Sequence, residues 1–171
     1  MKRYLLFPAA IIICTIHVFC QSKPVNLFDG KTFTGWSGDT LHTWRIENNT
    51  IIGGSLVQTV PHNEFLSTTG SYGDFELTLQ FKLVGSGFVN AGVQFHSQRL
   101  SDPAFEMTRY QADLGKGYWA SLYDESRRNV TIVNPDSLLI SKILKPGGWN
   151  NYRIRSEGRR NTHLAEWNTN C

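Results

Sequence analysis

Asp74-Phe75-Glu76-Leu77-Thr78-Leu79-Gln80-Phe81-Lys82-Leu83-Val84 is the stretch on which the fold turns. Phe75, Leu77, Leu79, Phe81 and Leu83 fall at every second position, with Glu76, Thr78, Gln80 and Lys82 between them. A period of two is that of a β-strand with one buried and one wet face; a helix would smear these residues around its axis. Working outward, Trp44-Arg45-Ile46 leads through a turn at Glu47-Asn48-Asn49 into Thr50-Ile51-Ile52. Gly92-Val93-Gln94-Phe95-His96 reads as a strand that buries Val93 and Phe95 and turns Gln94 and His96 to the opposite face. Tyr110 to Asp113 and Tyr118 to Tyr123 flank Gly115-Lys116-Gly117, which predicts a hairpin, and Asn151 to Glu157 sets Tyr152 and Ile154 against Arg153 and Arg155. No strong amphipathic helix stands out. Fifteen glycines and six prolines punctuate these short runs, a rhythm that predicts an all-β chain of two antiparallel sheets packed as a jelly-roll sandwich.

The ends read differently. Lys2 and Arg3 precede an apolar run from Tyr4 to Phe19, the order of a signal peptide over residues 1–20. Lipid attachment at Cys20 is the rival reading. Pro8, Thr15 and His17 interrupt the run, and it is short for a retained membrane span. The expectation is an exported protein, periplasmic, surface-bound or extracellular, whose domain covers residues 21–160. Of the formal charge of +3, Lys2 and Arg3 supply two, so no basic stripe remains to hold nucleic acid. Two of the three cysteines fall in the leader and the third is Cys171. The body therefore has no pair to oxidise and depends on its core.

Five segments are polar and aromatic where a plain sandwich strand would be apolar: Asn26 to Lys31 with Gly35-Trp36, Gly92 to Ser97, Tyr110 to Asp113, Leu122 to Arg128, and Trp149 to Arg153. In order and spacing they resemble the bacterial 3-keto-disaccharide hydrolase domain family, through LFDGKTFTGW, GVQFxS, YQAD and LYDESRR. The resemblance runs from about Val25 to about Gly158. It implies a concanavalin-like jelly roll, a secreted or surface location, and hydrolysis of glycosides already oxidised at C3. Two departures accompany it. His96 stands where the family usually has Arg, a residue that is permanently charged where His titrates near neutrality. After Arg160 the family's strand pattern vanishes, and residues 161–171 read as an aberrant tail. A one-base frame shift accounts for that tail and predicts a sandwich shortened at its C-terminal end, with exposed edges.

Cleavage next to a C3 ketone needs a base for the C2 proton, donors for the enolate oxygen and an acid for the departing oxygen. The resemblance and the polarity of these strands offer His96 or Glu106 as base and Asp113 as acid or second base. Gln94, Gln111 and Tyr110 are candidates to bind hydroxyls, Arg127 or Arg128 to steady the enolate, and Trp119 and Tyr123 to stack on a sugar face. Asp124 and Glu125 complete the substrate-binding set. Each has a plainer reading. His96 fits a solvent-facing sheet position, Asp113 a turn cap, and Asp124-Glu125-Ser126-Arg127-Arg128 a self-paired hairpin tip. A noncatalytic carbohydrate-binding module of the same fold is the alternative function. No metal cluster or other cofactor is expected; calcium held by backbone and Asp oxygens of a loop stays open. Carbohydrate is the expected partner.

Overall fold

The computed structural model describes residues 23–158; the leader at 1–20 and the tail at 161–171 lie outside them. The larger sheet has four antiparallel strands in chain order: β6 (Asn90–Arg99), β7 (Met107–Gly115), β8 (Leu122–Glu125) and β9 (Val130–Val133). An antiparallel pair, β5 (Phe75–Phe81) with β10 (Asn150–Ser156), shares its core. Two smaller antiparallel pairs precede them in the chain, β1 (Trp36–Ser37) with β4 (Ser67–Thr68) and β2 (Trp44–Glu47) with β3 (Thr50–Gly53). Among the described residues the chain is all-β apart from one short helix, α1 (Ser137–Ile143).

The alternation read at Asp74 to Val84 is the alternation the strand uses. Glu76, Thr78 and Gln80 are exposed, while Phe75, Leu77, Leu79 and Phe81 turn inward. β10 repeats the period, with Asn150, Tyr152, Ile154 and Ser156 all buried. Register pairs Leu77 with Ile154 and Leu79 with Tyr152. Phe81, Tyr152 and Ile154 then meet Phe95, Leu114 and Leu122 from the larger sheet in one core. Burying each such side chain contributes about 1.5–3 kcal/mol. β5 ends at Phe81, and the loop that follows turns at Gly85 and Gly87, with φ 146° and 73°.

The β2–β3 hairpin turns on Asn48 and Asn49, with φ 50° and 58°. Two successive left-handed residues are what a type I′ turn demands, and asparagine tolerates them best after glycine. Across this hairpin the Trp44 ring lies on Gly53, where a Cβ would come within 2.6 Å of it.

Two expectations about elements change. Tyr118 to Ser121 is a turn, and β8 begins at Leu122. The aromatic composition of Tyr118 to Ser121 suits a strand, but Trp119 instead stacks on Phe81 at 6.2 Å, half-buried against the core. Backbone bonds from Asp113 N to Ser121 O (2.9 Å) and from Ala120 N to Asp113 O (2.8 Å) close the turn. Helix α1 is the second. Asp136 caps it, accepting from the N–H groups of Leu138 and Leu139. Only Ile140 among its residues is buried, so no helical stripe marks it in the sequence. Among the described residues no helix is long and apolar enough to cross a membrane.

Candidate functional site

Register decides which polar residues can act together, because residues directly opposite on neighbouring strands share a face. Gln94 lies opposite Gln111, Gly92 opposite Asp113, and Gln111 opposite Tyr123. Gln94, Gln111, Asp113, Tyr123 and Glu125 therefore occupy one face of the larger sheet. Phe95, Tyr110 and Asp124 form the adjacent row and occupy the other, which is the core face.

Asp113 is the centre of the first face. It is 4 % exposed, and its partners among the described residues are all neutral: Gln111 Nε2 donates to Oδ1 at 2.7 Å, and Ser121 Oγ lies 3.4 Å from Oδ2. Burial pushes the Asp113 carboxyl up from its ordinary value of 3.8, against the pull of Gln111 and Ser121. Gln111 reaches it across Gly92. A Cβ at Gly92 would sit 2.6 Å from Gln111 Cδ and Cγ, so only glycine lets the amide lie there. Beside Gln111, both carboxamide atoms of Gln94 are buried and have no hydrogen-bond partner among the described residues.

The rim is acidic. Glu125 is half-buried and raised, first by burial and then by the charges of Glu106 and Asp113. Tyr123 is raised by burial and by Glu125. Glu106 stands just before β7, where its Oε2 accepts from Asn63 Nδ2 (3.0 Å) and its Oε1 from the backbone N–H of Met107 (2.9 Å). His62, next to Asn63, stacks on Phe105 at 3.8 Å. The loop before β4 is thereby fastened to the mouth of this face. Among the described residues, no three His, Cys, Asp or Glu side chains gather as metal ligands.

The core face has a different chemistry. Asp124 is fully buried, and Arg127 grips it through Nε (3.0 Å to Oδ1) and Nη2 (2.7 Å to Oδ2). Arg128 Nε donates to the same Oδ2. These guanidinium groups, Arg127 first, hold the Asp124 carboxyl below 3.8 against the effect of burial. The Arg127 guanidinium also lies over the Tyr110 ring, 5.1 Å from its centroid. A carboxylate bound by three N–H donors, on a tip that Asn129 further ties to Ser126 at 3.1 Å, closes the β8–β9 hairpin.

The residues singled out in the sequence thus divide. Gln94, Gln111, Asp113, Tyr123 and Glu125 come together, with Glu106 at their edge. Tyr110, Asp124, Arg127 and Arg128 cluster on the opposite side. Trp119 stands apart from both groups, half-buried against the core with its ring stacked on Phe81. The sheet face expected for His96 changes. One extra residue in β6 between Phe95 and Gln98 makes a bulge, and His96 takes φ 49° there. The ring turns to the core side, where Nε2 meets Ser156 Oγ at 2.6 Å and Phe75 lies 6.5 Å away. It does not stand with Gln94. One site residue, Ser121, carries no signal in the sequence, and Gly92 shows there only as the first residue of the GVQFxS stretch. Asp29 proves to be a turn residue: Thr32 and the N–H of Lys31 hold its carboxyl down to about 2.

Fold and site together define an antiparallel β-sheet protein whose larger sheet carries a buried acid among carboxamides on one face and a structural ion cluster on the other. The chain belongs to the 3-keto-α-glucoside-1,2-lyase-like domain family, whose model matches residues 23–167. No curated protein matches the chain.

Proposed function

We propose that the protein cleaves the glycosidic bond of 3-keto-disaccharides or related 3-keto-glycosides by elimination followed by hydration, a net hydrolysis. The family match supports the substrate class. The observation that carries the reading is Asp113: a buried carboxyl without a cationic partner among the described residues, held by Gln111 in a row of amides. The antiparallel layers around one core support the jelly-roll connectivity expected with it.

The ketone acidifies the C2 hydrogen. Asp113 removes that proton through Oδ2, which Gln111 does not touch and which carries only the long 3.4 Å contact from Ser121 Oγ. The electron pair of the C–H bond forms the C2=C3 bond, and the carbonyl electrons move onto the C3 oxygen. The enolate then collapses: C3=O re-forms, C1=C2 forms, and the C1–O bond breaks. The departing oxygen takes a proton from Glu125 or Glu106; burial keeps Glu125 protonated to higher pH than an ordinary glutamate. Water adds at C1, its proton returning to the glutamate, while Asp113, whose proton exchanges with solvent during the lifetime of the eliminated intermediate, delivers a solvent-derived proton to C2. Tyr123 and Gln111 position the ring hydroxyls.

Incubating the purified protein with a 3-keto-disaccharide and with its unoxidised parent tests this. The expected result is release of a monosaccharide and a 3-keto sugar from the first alone. An inert protein that binds the unoxidised sugar would instead be a noncatalytic carbohydrate-binding module.

A further inference from the structure

We propose that Gln94 is the oxyanion donor of this site: Nε2 donates to the C3 oxygen as the enolate forms, and Oε1 accepts from an adjacent ring hydroxyl. The inference rests on the elimination reading above and assigns it a residue. Leaving a buried donor or acceptor unpaired is costly, and Gln94 carries one of each. A methionine would fill similar space without that cost. A side chain of this kind is explained by a ligand that supplies both an acceptor and a donor. The α-hydroxy-ketone edge of a 3-keto sugar does so, with a carbonyl oxygen beside a hydroxyl.

Of the other groups on this face, Arg109 stands opposite Glu125, four residues along β7 from Asp113, and Gln111 is committed. Gln111 Nε2 is aimed at Asp113 at 2.7 Å. Arg127 and Arg128, the cations that could have met an enolate, are spent on Asp124 across the sheet. Gln94 lies in register beside Gln111, one strand from Asp113, so base and donor flank the same two carbons. Neither end of its carboxamide is tied to a described protein group, so it can turn over without breaking a bond and present N–H to the carbonyl. The bond strengthens as charge collects on the C3 oxygen, and in a buried setting such a donor acts chiefly on the transition state.

The test compares wild type with Gln94→Met on a 3-keto-disaccharide, alongside melting temperatures. The expected result is a kcat lower by about 10²–10³-fold, a KM changed by less than about tenfold, and a melting temperature equal to or above that of wild type. A kcat within about threefold of wild type overturns the inference while leaving the elimination reading in place. A rate loss matched by a lowered melting temperature also overturns it, because the role is then structural. A wild-type protein without turnover removes the elimination reading and this donor with it.

Discussion

Asp113 and Asp124 are the same residue type on neighbouring strands of one sheet, both almost wholly out of water at 4 % and 0 % exposure. Their carboxyls move in opposite directions. Asp113, with an amide and a distant hydroxyl for company, is raised by burial. Asp124, with two guanidinium groups, is lowered. Burial alone therefore does not distinguish a chemical carboxylate from a structural one; the partners do. A carboxylate saturated by three charged donors has no lone pair to spare for a substrate proton, whereas Asp113 has one strong donor on Oδ1 and only a 3.4 Å hydroxyl contact on Oδ2.

The largest effect should come from removing the acid on the amide face. Asp113→Asn keeps the shape and takes away the base, so kcat/KM on a 3-keto-disaccharide should fall by about 10³-fold or more, with the melting temperature unchanged or higher. Steady-state kinetics and a thermal melt check both halves. The mirror experiment is the double substitution Arg127→Ala with Arg128→Ala. It strands a buried charge, so the melting temperature should drop by roughly 5 °C or more, while kcat of the protein still folded stays near wild type. If the double variant loses kcat and keeps its melting temperature, the two faces have been assigned the wrong way round.

A smaller, sharper effect is expected at Gly92. Gly92→Ala drives a methyl group into Gln111 and should lift the amide from Asp113. Losing that donor raises the Asp113 carboxyl further, so the acidic limb of the kcat/KM profile should move to higher pH, with about a tenfold loss in rate near neutrality. An unmoved limb would show that Gln111 does not set the Asp113 titration.

The least effect lies in the pH dependence of stability, where the two carboxyls have opposite signs. Asp113, raised, contributes stability that is present below 3.8 and is lost as pH rises through its folded value. Asp124, lowered, contributes stability present above 3.8 that is lost as pH falls through its folded value. Asp113→Asn should therefore flatten the loss of stability above pH 3.8 and leave the acid side as in wild type. Denaturant titrations across pH resolve the difference.

Much of this division is legible in the sequence, and the part that is not has physical causes. β5, β10 and the Asn48-Asn49 hairpin are visible because side-chain parity and turn chemistry are local. The pairing of Gln111 with Asp113 comes from the same parity, two residues apart on one strand. His96 escapes it because a bulge adds one residue and reverses parity for the rest of the strand, and no local residue announces it. Asp124 groups with Asp113 in the sequence because both lie in polar motifs; their separation appears only once register ties β7 to β8. Trp119 reads as a strand residue because the turn that carries it has the aromatic composition of a strand.

Running the reaction in D₂O with a 3-keto-disaccharide and tracking the released 3-keto sugar by NMR tests the central claim most directly, namely that the Asp113 face moves the C2 proton. Deuterium should appear at C2 of the product from wild-type protein, and Asp113→Asn should abolish that incorporation along with cleavage. Cleavage that leaves the C2 hydrogen unexchanged, or incorporation that persists in Asp113→Asn, would contradict it.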